Sequence, residues 1–314
     1  MSNFGGPYSL FEKDFANRFA MAQQKITKRT IKIQALMQKA STMSATSLKE
    51  WNVIRVKINY QYRMMLKEFQ RFALFEVPAR FNRSIAQMTK RINNLKSVTK
   101  VARLNPAALI NTVPAKQIKS LLYQDAIVSM NAAIQTGKKN VTSILTKLQT
   151  NNINNSLSNV LGGVSNAELL TLQELEMIKA GRFVQAGRYK YKAEYYARMV
   201  GRVKFHEAHS TAALSQARNY DTDLVIVSSH NTTTSICLPF EGKVFSINGR
   251  DKRFPVLDLY PPFHPNCLHL IYPQFVEGME AQGSLKQFED FSKGATQAPP
   301  YPASFIPIDE RILL

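Results

Sequence analysis

Cys237–Ser246 reads CLPFEGKVFS, and Tyr260–Pro273 reads YPPFHPNCLHLIYP. The two stretches hold both cysteines of the 314-residue chain and two of its five histidines. Each pairs a turn with a short β-forming run. Gly242 closes a hairpin before KVFSI (243–247), and the Pro-flanked loop at His264 leads into LHLIYP (268–273). Cys267 and His269 are two apart on that strand, so their side chains share a face. The spacing of Cys237, His264, Cys267 and His269 is C-x26-H-x2-C-x-H. Four such donors are what a closed tetrahedral zinc site needs. Zinc held there would staple the hairpin to the final strand. His230, after the strand DLVIVSS (223–229), is a rival to His264 for the fourth position. A catalytic zinc would keep one position open beside an acid or base, and Glu241 is the nearest such group in sequence. Without metal, both cysteines read as small buried hydrophobes and the histidines as surface residues.

Upstream of the strands, Tyr189–Ala217 has the period of one long helix. Ser165 with Glu168 forms a capping box for another, through Ala180. Between 151 and 166 the chain reads NNINNSLSNVLGGVSN, a composition that predicts a flexible connection. Residues 1–104 are poor in Gly and Pro. Apolar residues recur there with a helical period, as in Trp51, Ile54, Val56, Ile58, Tyr62, Met65, Phe69 and Phe72. Ser47 and Glu50 predict the start of that helix, and Pro78 predicts a break or bend. Asn105-Pro106 predicts a turn, Pro114 a helix start, and Gly137-Lys138-Lys139 an interruption. The proline-rich end predicts an extended arm. The chain thus divides into a helical basic region (1–150), the connection (151–166), a mixed domain (167–281) and the arm (282–314). The predicted class is α+β, with a mostly helical N-terminal region and then one long helix with a short antiparallel sheet, pinned by zinc.

The net charge of +19 is uneven. Residues 1–104 carry 20 Lys and Arg against 5 Asp and Glu, and the remainder carries 21 against 17. A basic third beside a near-neutral remainder points to a polyanion, with nucleic acid first and an anionic membrane surface second. Basic and aromatic residues interleave in YQYRMMLKEFQRF (60–72), where the ring spacing fits a helix core and leaves the cations for phosphate. The N-terminus lacks the pattern of a signal peptide. No apolar run reaches the roughly 18 residues of a membrane span. Two cysteines make no disulfide framework, which fits a reducing cytoplasm.

Other chemistry finds little support. No P-loop and no G-x-S-x-G elbow occurs. Glu174-Leu175-Glu176 has the paired glutamates of arginine-modifying ADP-ribosyltransferases, but it precedes every predicted strand. His206 and His209 fall three apart on the long helix, one residue short of the H-E-x-x-H spacing. Arg202, on the same helix, is a candidate for a buried ion pair with the strand region. After His269 comes LIYPQFVEG, without the further histidine an HNH nuclease needs.

Four segments then fall in order: RVKFHEAHSTAALSQAR (202–218), DLVIVSSH (223–230), C-x-x-F-E-G-K-V-F-S (237–246) and P-P-x-H-P-N-C-x-H (261–269) with Pro273 four residues on. Over Ala197–Gly278 they resemble the minor head proteins of tailed bacteriophages, the Mu F-like head morphogenesis and minor capsid proteins. Gly242-Lys243-Val244-Phe245 and His264-Pro265-Asn266-Cys267 carry the match. The chain departs from the pattern at Leu268, where the family often has Arg, and at His269, where many members have Cys. It departs again at Arg202-Val203-Lys204, where Arg-Thr-Glu is usual. The resemblance implies a non-enzymatic, low-copy virion component inside the capsid near the portal, made in the host cytoplasm. It implies a role in procapsid assembly, DNA packaging or DNA ejection, with portal, other capsid proteins and phage DNA as partners. The alternative is a metal-dependent nuclease or toxin effector that uses the domain for delivery. A host DNA-binding regulator would need a recognition helix that is not visible.

Overall fold

The computed structural model describes residues 45–95, 103–160, 183–186, 189–264 and 266–293, with helical positions 17, 21, 24, 25, 28, 29 and 32. The chain forms two compact units, each drawn from separate stretches. One comprises Met1–Arg71 with Ile127–Arg198, the other Phe72–Ala126 with Met199–Leu314. The architecture is α+β: helices dominate, and the second unit carries a three-stranded antiparallel sheet.

In the first unit, helix α1 spans Ala45–Arg71. Trp51, Ile54, Ile58, Tyr62, Met65 and Phe69 are buried along one stripe, and Val56, two positions from both Ile54 and Ile58, falls off it and is exposed. Lys49, Arg55, Lys57, Arg63, Lys67 and Arg71 are exposed. Ser47 lies inside this helix, so it does not cap it. A short hairpin of β1 (Phe183–Ala186) and β2 (Tyr189–Lys192) pairs in the register Phe183↔Lys192 to Ala186↔Tyr189. The long helix expected from Tyr189 therefore starts at Ala193. Tyr-Lys-Tyr-Lys alternates with period two, which suits a strand better than a helix.

A five-residue π-helical turn, Phe72–Glu76, leads into α2 at Val77–Asn93. Pro78 follows the expected irregularity, the π-helical turn that separates α1 from α2. It sits in the first turn of α2, where a missing N–H costs no helical bond. Val77, Arg80, Phe81, Ser84, Ile85, Met88, Thr89 and Ile92 form its buried face. Asn105 caps the short α3 (Pro106–Ile110), its side-chain oxygen accepting from the Ala107 N–H at 3.0 Å. Helix α4 runs unbroken over Val113–Val160. It passes through Gly137-Lys138-Lys139, and the connection predicted from 151 is helical up to Val160. A glycine costs a helix only about 1 kcal/mol, and propagation is cooperative, so one poor stretch does not end it. Residues 161–166, the predicted helix through Ala180 with Glu174 and Glu176, and the end of the arm from Gly294 lie outside the described residues.

Helix α5 spans Ala193–Asn219. The sheet that follows has the order β4-β3-β5, with β3 Leu224–Val227, β4 Val244–Ser246 and β5 Ile271–Gln274. Both pairings are antiparallel, with Val225 opposite Phe245 and Pro273. Alternation on β3 divides the core. Val225 and Val227 pack with Phe245, Ile271, Ala213 and Leu214 on one face. Leu224 and Ile226 pack with Val244, Phe254 and Met279 on the other. This second face is covered by α6 (Val276–Ala281) and α7 (Leu285–Ser292). The arm expected from 282 thus begins as a helix. Leu285 and Phe288 pack on the sheet, and Ser292 Oγ accepts from the Val244 N–H at 3.1 Å.

Candidate metal centre

The loop between β3 and β4 brings Cys237 to the sheet. Cys237 and Leu238 both donate N–H to the Thr234 carbonyl at 3.0 Å, and Phe240 donates to the Cys237 carbonyl at 3.0 Å. Gly242 closes the loop with φ +71, a left-handed conformation that favours glycine, and donates to the Val227 carbonyl. From the other side, Cys267 follows a tight turn in which its N–H reaches the His264 carbonyl at 2.9 Å. Phe240 and Phe263 stack beside the cluster with centroids 4.4 Å apart.

This packing places Cys237, Cys267 and His269 together, their donor atoms all within 4.8 Å of one another. The sulfurs are 4.0 Å apart, and Cys267 Sγ is 3.5 Å from His269 Nδ1. All three are buried, at 0%, 1% and 2% exposure. No described cysteine pair is a disulfide. His264 stands outside this group. It is half-buried, and its Nδ1 accepts from the Asn266 N–H at 3.3 Å. His230 packs edge-on against His269, centroids 5.1 Å apart, with Nε2 2.9 Å from Ser228 Oγ. Glu241 faces the other ring nitrogen of His269, with Oε1 3.5 Å from Nε2. That distance is long for a full hydrogen bond. The same carboxylate caps the loop by accepting from the His230 and Thr232 N–H groups.

The electrostatics follow from burial. Burial, then the neighbouring sulfur and Glu241, push the Cys237 thiol up to about 12. Burial also raises Cys267, although the backbone amides of Phe263, His269 and His264 favour its thiolate. Burial and the nearby His230 hold His269 below the usual imidazole range, against the pull of Glu241. Burial opposes ionisation of Glu241, but the His230 and Thr232 amides and the His269 ring win, and its carboxyl is lowered. Without a cation, both thiols stay protonated at neutral pH. A divalent metal supplies the charge that two buried thiolates need.

The other histidines on α5 have different surroundings. His209 is fully enclosed. Its Nε2 donates to the Ile271 carbonyl at 3.2 Å, so Nδ1 carries the lone pair that accepts from Ser84 Oγ at 3.1 Å. It joins α2, α5 and β5. His206 is held down to about 3 by burial, with Arg80 and Arg202 adding to the effect. Arg202 lies half-buried beside His206, and a buried ion pair of this helix belongs to Lys204. Its Nζ is 2.5 Å from Asp125 Oδ2 and 2.8 Å from Glu207 Oε2. The sequence hint was an i,i+3 Lys-Glu pair on a helix rich in buried alanines. Asp125, 79 residues away, left no local trace.

The family model described as "Phage minor capsid protein 2" matches residues 80–298. A relative described as "Structural protein" of Lactococcus phage LL-H is 25% identical over 183 residues. That match covers 55% of this chain, and the chain spans only 43% of the relative's length. No solved structure matches the chain.

Proposed function

We propose, from the chain's membership of the phage minor capsid protein 2 family, that it acts inside the head near the portal, in procapsid assembly, DNA packaging or DNA ejection. The observation that supports the finer reading is the exposed cationic face of α1. Helix α1 buries its aromatic stripe and exposes Lys49, Arg55, Lys57, Arg63, Lys67 and Arg71 to solvent. Such a cationic face suits the phosphate backbone of packaged DNA. The second unit offers apolar surface for capsid proteins, with Leu238 and Leu268, the chain neighbours of the two cysteines, 57% and 52% exposed. Among the described residues no helix is long and apolar enough to cross a membrane.

DNA binding is expected to be electrostatic and indifferent to sequence, since phosphate contacts carry no base information. Replacing Lys57, Arg63, Lys67 and Arg71 together by Gln should leave the buried stripe of α1 intact. If each cation neutralises one phosphate, the slope of log K against log salt should fall by about 3–4. The measurement is a fluorescence titration of duplex DNA at several salt concentrations. An unchanged slope would remove DNA from this face and leave a protein partner.

In infected cells, epitope-labelled protein is expected in procapsids and virions at low copy, clustered at one vertex. Particles lacking it should assemble abnormally or deliver their DNA poorly. An even distribution over the capsid would sink the portal reading. Plasmid cleavage by the pure protein with Mg²⁺ or Mn²⁺ would favour a nuclease instead.

A further inference from the structure

We propose that Cys237, Cys267 and His269 hold one zinc ion through Sγ, Sγ and Nδ1, that His230 turns in as the fourth ligand, and that Glu241 orients His269 from outside the coordination shell. The geometry of the three donors carries the first part. In tetrahedral zinc with Zn–S of about 2.3 Å and Zn–N of about 2.0–2.1 Å, neighbouring sulfurs lie ~3.8 Å apart and sulfur and nitrogen ~3.5 Å apart. The observed separations are 4.0 Å between the sulfurs and 3.5 Å from Cys267 Sγ to His269 Nδ1. Two edges of a coordination tetrahedron are already close to these lengths, and the third donor pair lies within 4.8 Å, all three side chains being buried. Two thiolates and imidazole are the soft and borderline donors that zinc selects.

The second shell supports the same orientation. A metal-bound histidine usually presents its other ring N–H to a carboxylate. His269 turns Nδ1 toward the sulfurs and Nε2 toward Glu241 at 3.5 Å. Among the described residues that buried Nε2 has no hydrogen-bond partner. A proton held on Nε2 by the carboxylate would leave the Nδ1 lone pair free for the metal. Glu241 is itself fixed by the amides of His230 and Thr232, so it is a rigid outer partner.

Tautomer chemistry separates the two fourth-ligand candidates. A neutral imidazole has one lone-pair nitrogen. His264 uses its own to accept the Asn266 N–H. Ligation through Nε2 would need the proton on Nδ1 and so would break that bond. His230 can donate Nε2–H to Ser228 Oγ and keep its Nδ1 lone pair. Its ring already lies against His269, and its exposure leaves it room to swing.

The test uses full-length protein purified without chelator. Elemental analysis should find about one zinc per chain, and cobalt added to stripped protein should bind one to one. The cobalt form should show the sulfur-to-cobalt charge-transfer band and the intense d–d bands of a tetrahedral site. Absence of zinc together with absence of those bands overturns the site. The wild-type cobalt spectrum decides this even if Cys237→Ser or Cys267→Ser fails to fold. His230→Ala should weaken cobalt binding at least tenfold and shift the d–d bands, with His264→Ala leaving both unchanged. The reverse result overturns the assignment of His230. Glu241→Gln should weaken binding by about tenfold, the lower end of the range for outer-shell partners. No change there removes Glu241 from the site.

Discussion

Lys204→Met is expected to lower the stability of the second unit by about 3 kcal/mol, the lower end of what breaking a buried ion pair costs. Lys204 and Glu207 are nearly enclosed, at 8% and 11% side-chain exposure, and Asp125 is 45% exposed. Burial works against the Lys204 charge, but Glu207 and Asp125 outweigh it and raise its basicity. Burial raises Glu207 despite its partner. With the ammonium gone, Asp125 can turn to water and Glu207 cannot. The loss therefore comes mostly from one stranded carboxylate. Thermal unfolding should shift down by about 6–12 °C for a unit of this size. Lys204→Met combined with Glu207→Leu should recover most of the loss, since apolar replacement of both partners is often close to neutral. If the double variant is no better than the single one, packing around the lysine stem, not charge, holds this part of α5.

The sequence made some of this architecture readable because the signals were local. The stripe of α1 follows from residues at three and four, and β3 from a short β-branched run whose alternate residues face opposite layers. The Cys267-x-His269 pair was visible for the same reason, since a strand turns every second side chain to one face. Cys237 joined it by inference from one hairpin glycine, and the 4.0 Å sulfur separation shows the two strand regions meeting. His264 is closer in sequence than His230 to Cys267 and His269, and its Nδ1 accepts a turn hydrogen bond from Asn266. Spacing cannot report the direction of a side chain. The β1–β2 hairpin is hidden in the sequence because Tyr189 and Tyr191 also fit a helical pattern when read with α5. The gathering of Phe72–Ala126 with Met199–Leu314 had no local signal at all. It rests on contacts such as Gln216 Nε2 donating to the Ile85 carbonyl at 3.1 Å, across 131 residues. Where residues did carry a family pattern, the hairpin Gly242–Phe245 and the turn His264–Cys267 were enough to place the chain among phage head proteins, and residues 80–298 match that family's model.

The second unit should lose stability on mild acidification, and His209 should account for one proton of the effect. His209 is buried and neutral, donating from Nε2 to Ile271 and accepting at Nδ1 from Ser84, with Arg80 Nη2 3.5 Å away. Burial, then Arg80 and His206, hold it well below the ordinary value of 6.5. The sign follows from proton binding. Below pH 6.5 the unfolded chain takes up a proton that the folded protein refuses. Stability is therefore fully present above that pH and is lost as the pH falls toward the depressed folded value. A single such histidine removes about 2 kcal/mol between pH 7 and pH 5. His206, held down to about 3, acts in the same direction. Urea unfolding at pH 7, 6 and 5 measures the slope. His209→Gln, which cannot titrate, should flatten it by close to one proton whatever its own stability at pH 7. If the variant keeps the wild-type slope, the acid sensitivity belongs to His206 and the histidines around the cysteines, and His209 already shares its site with water.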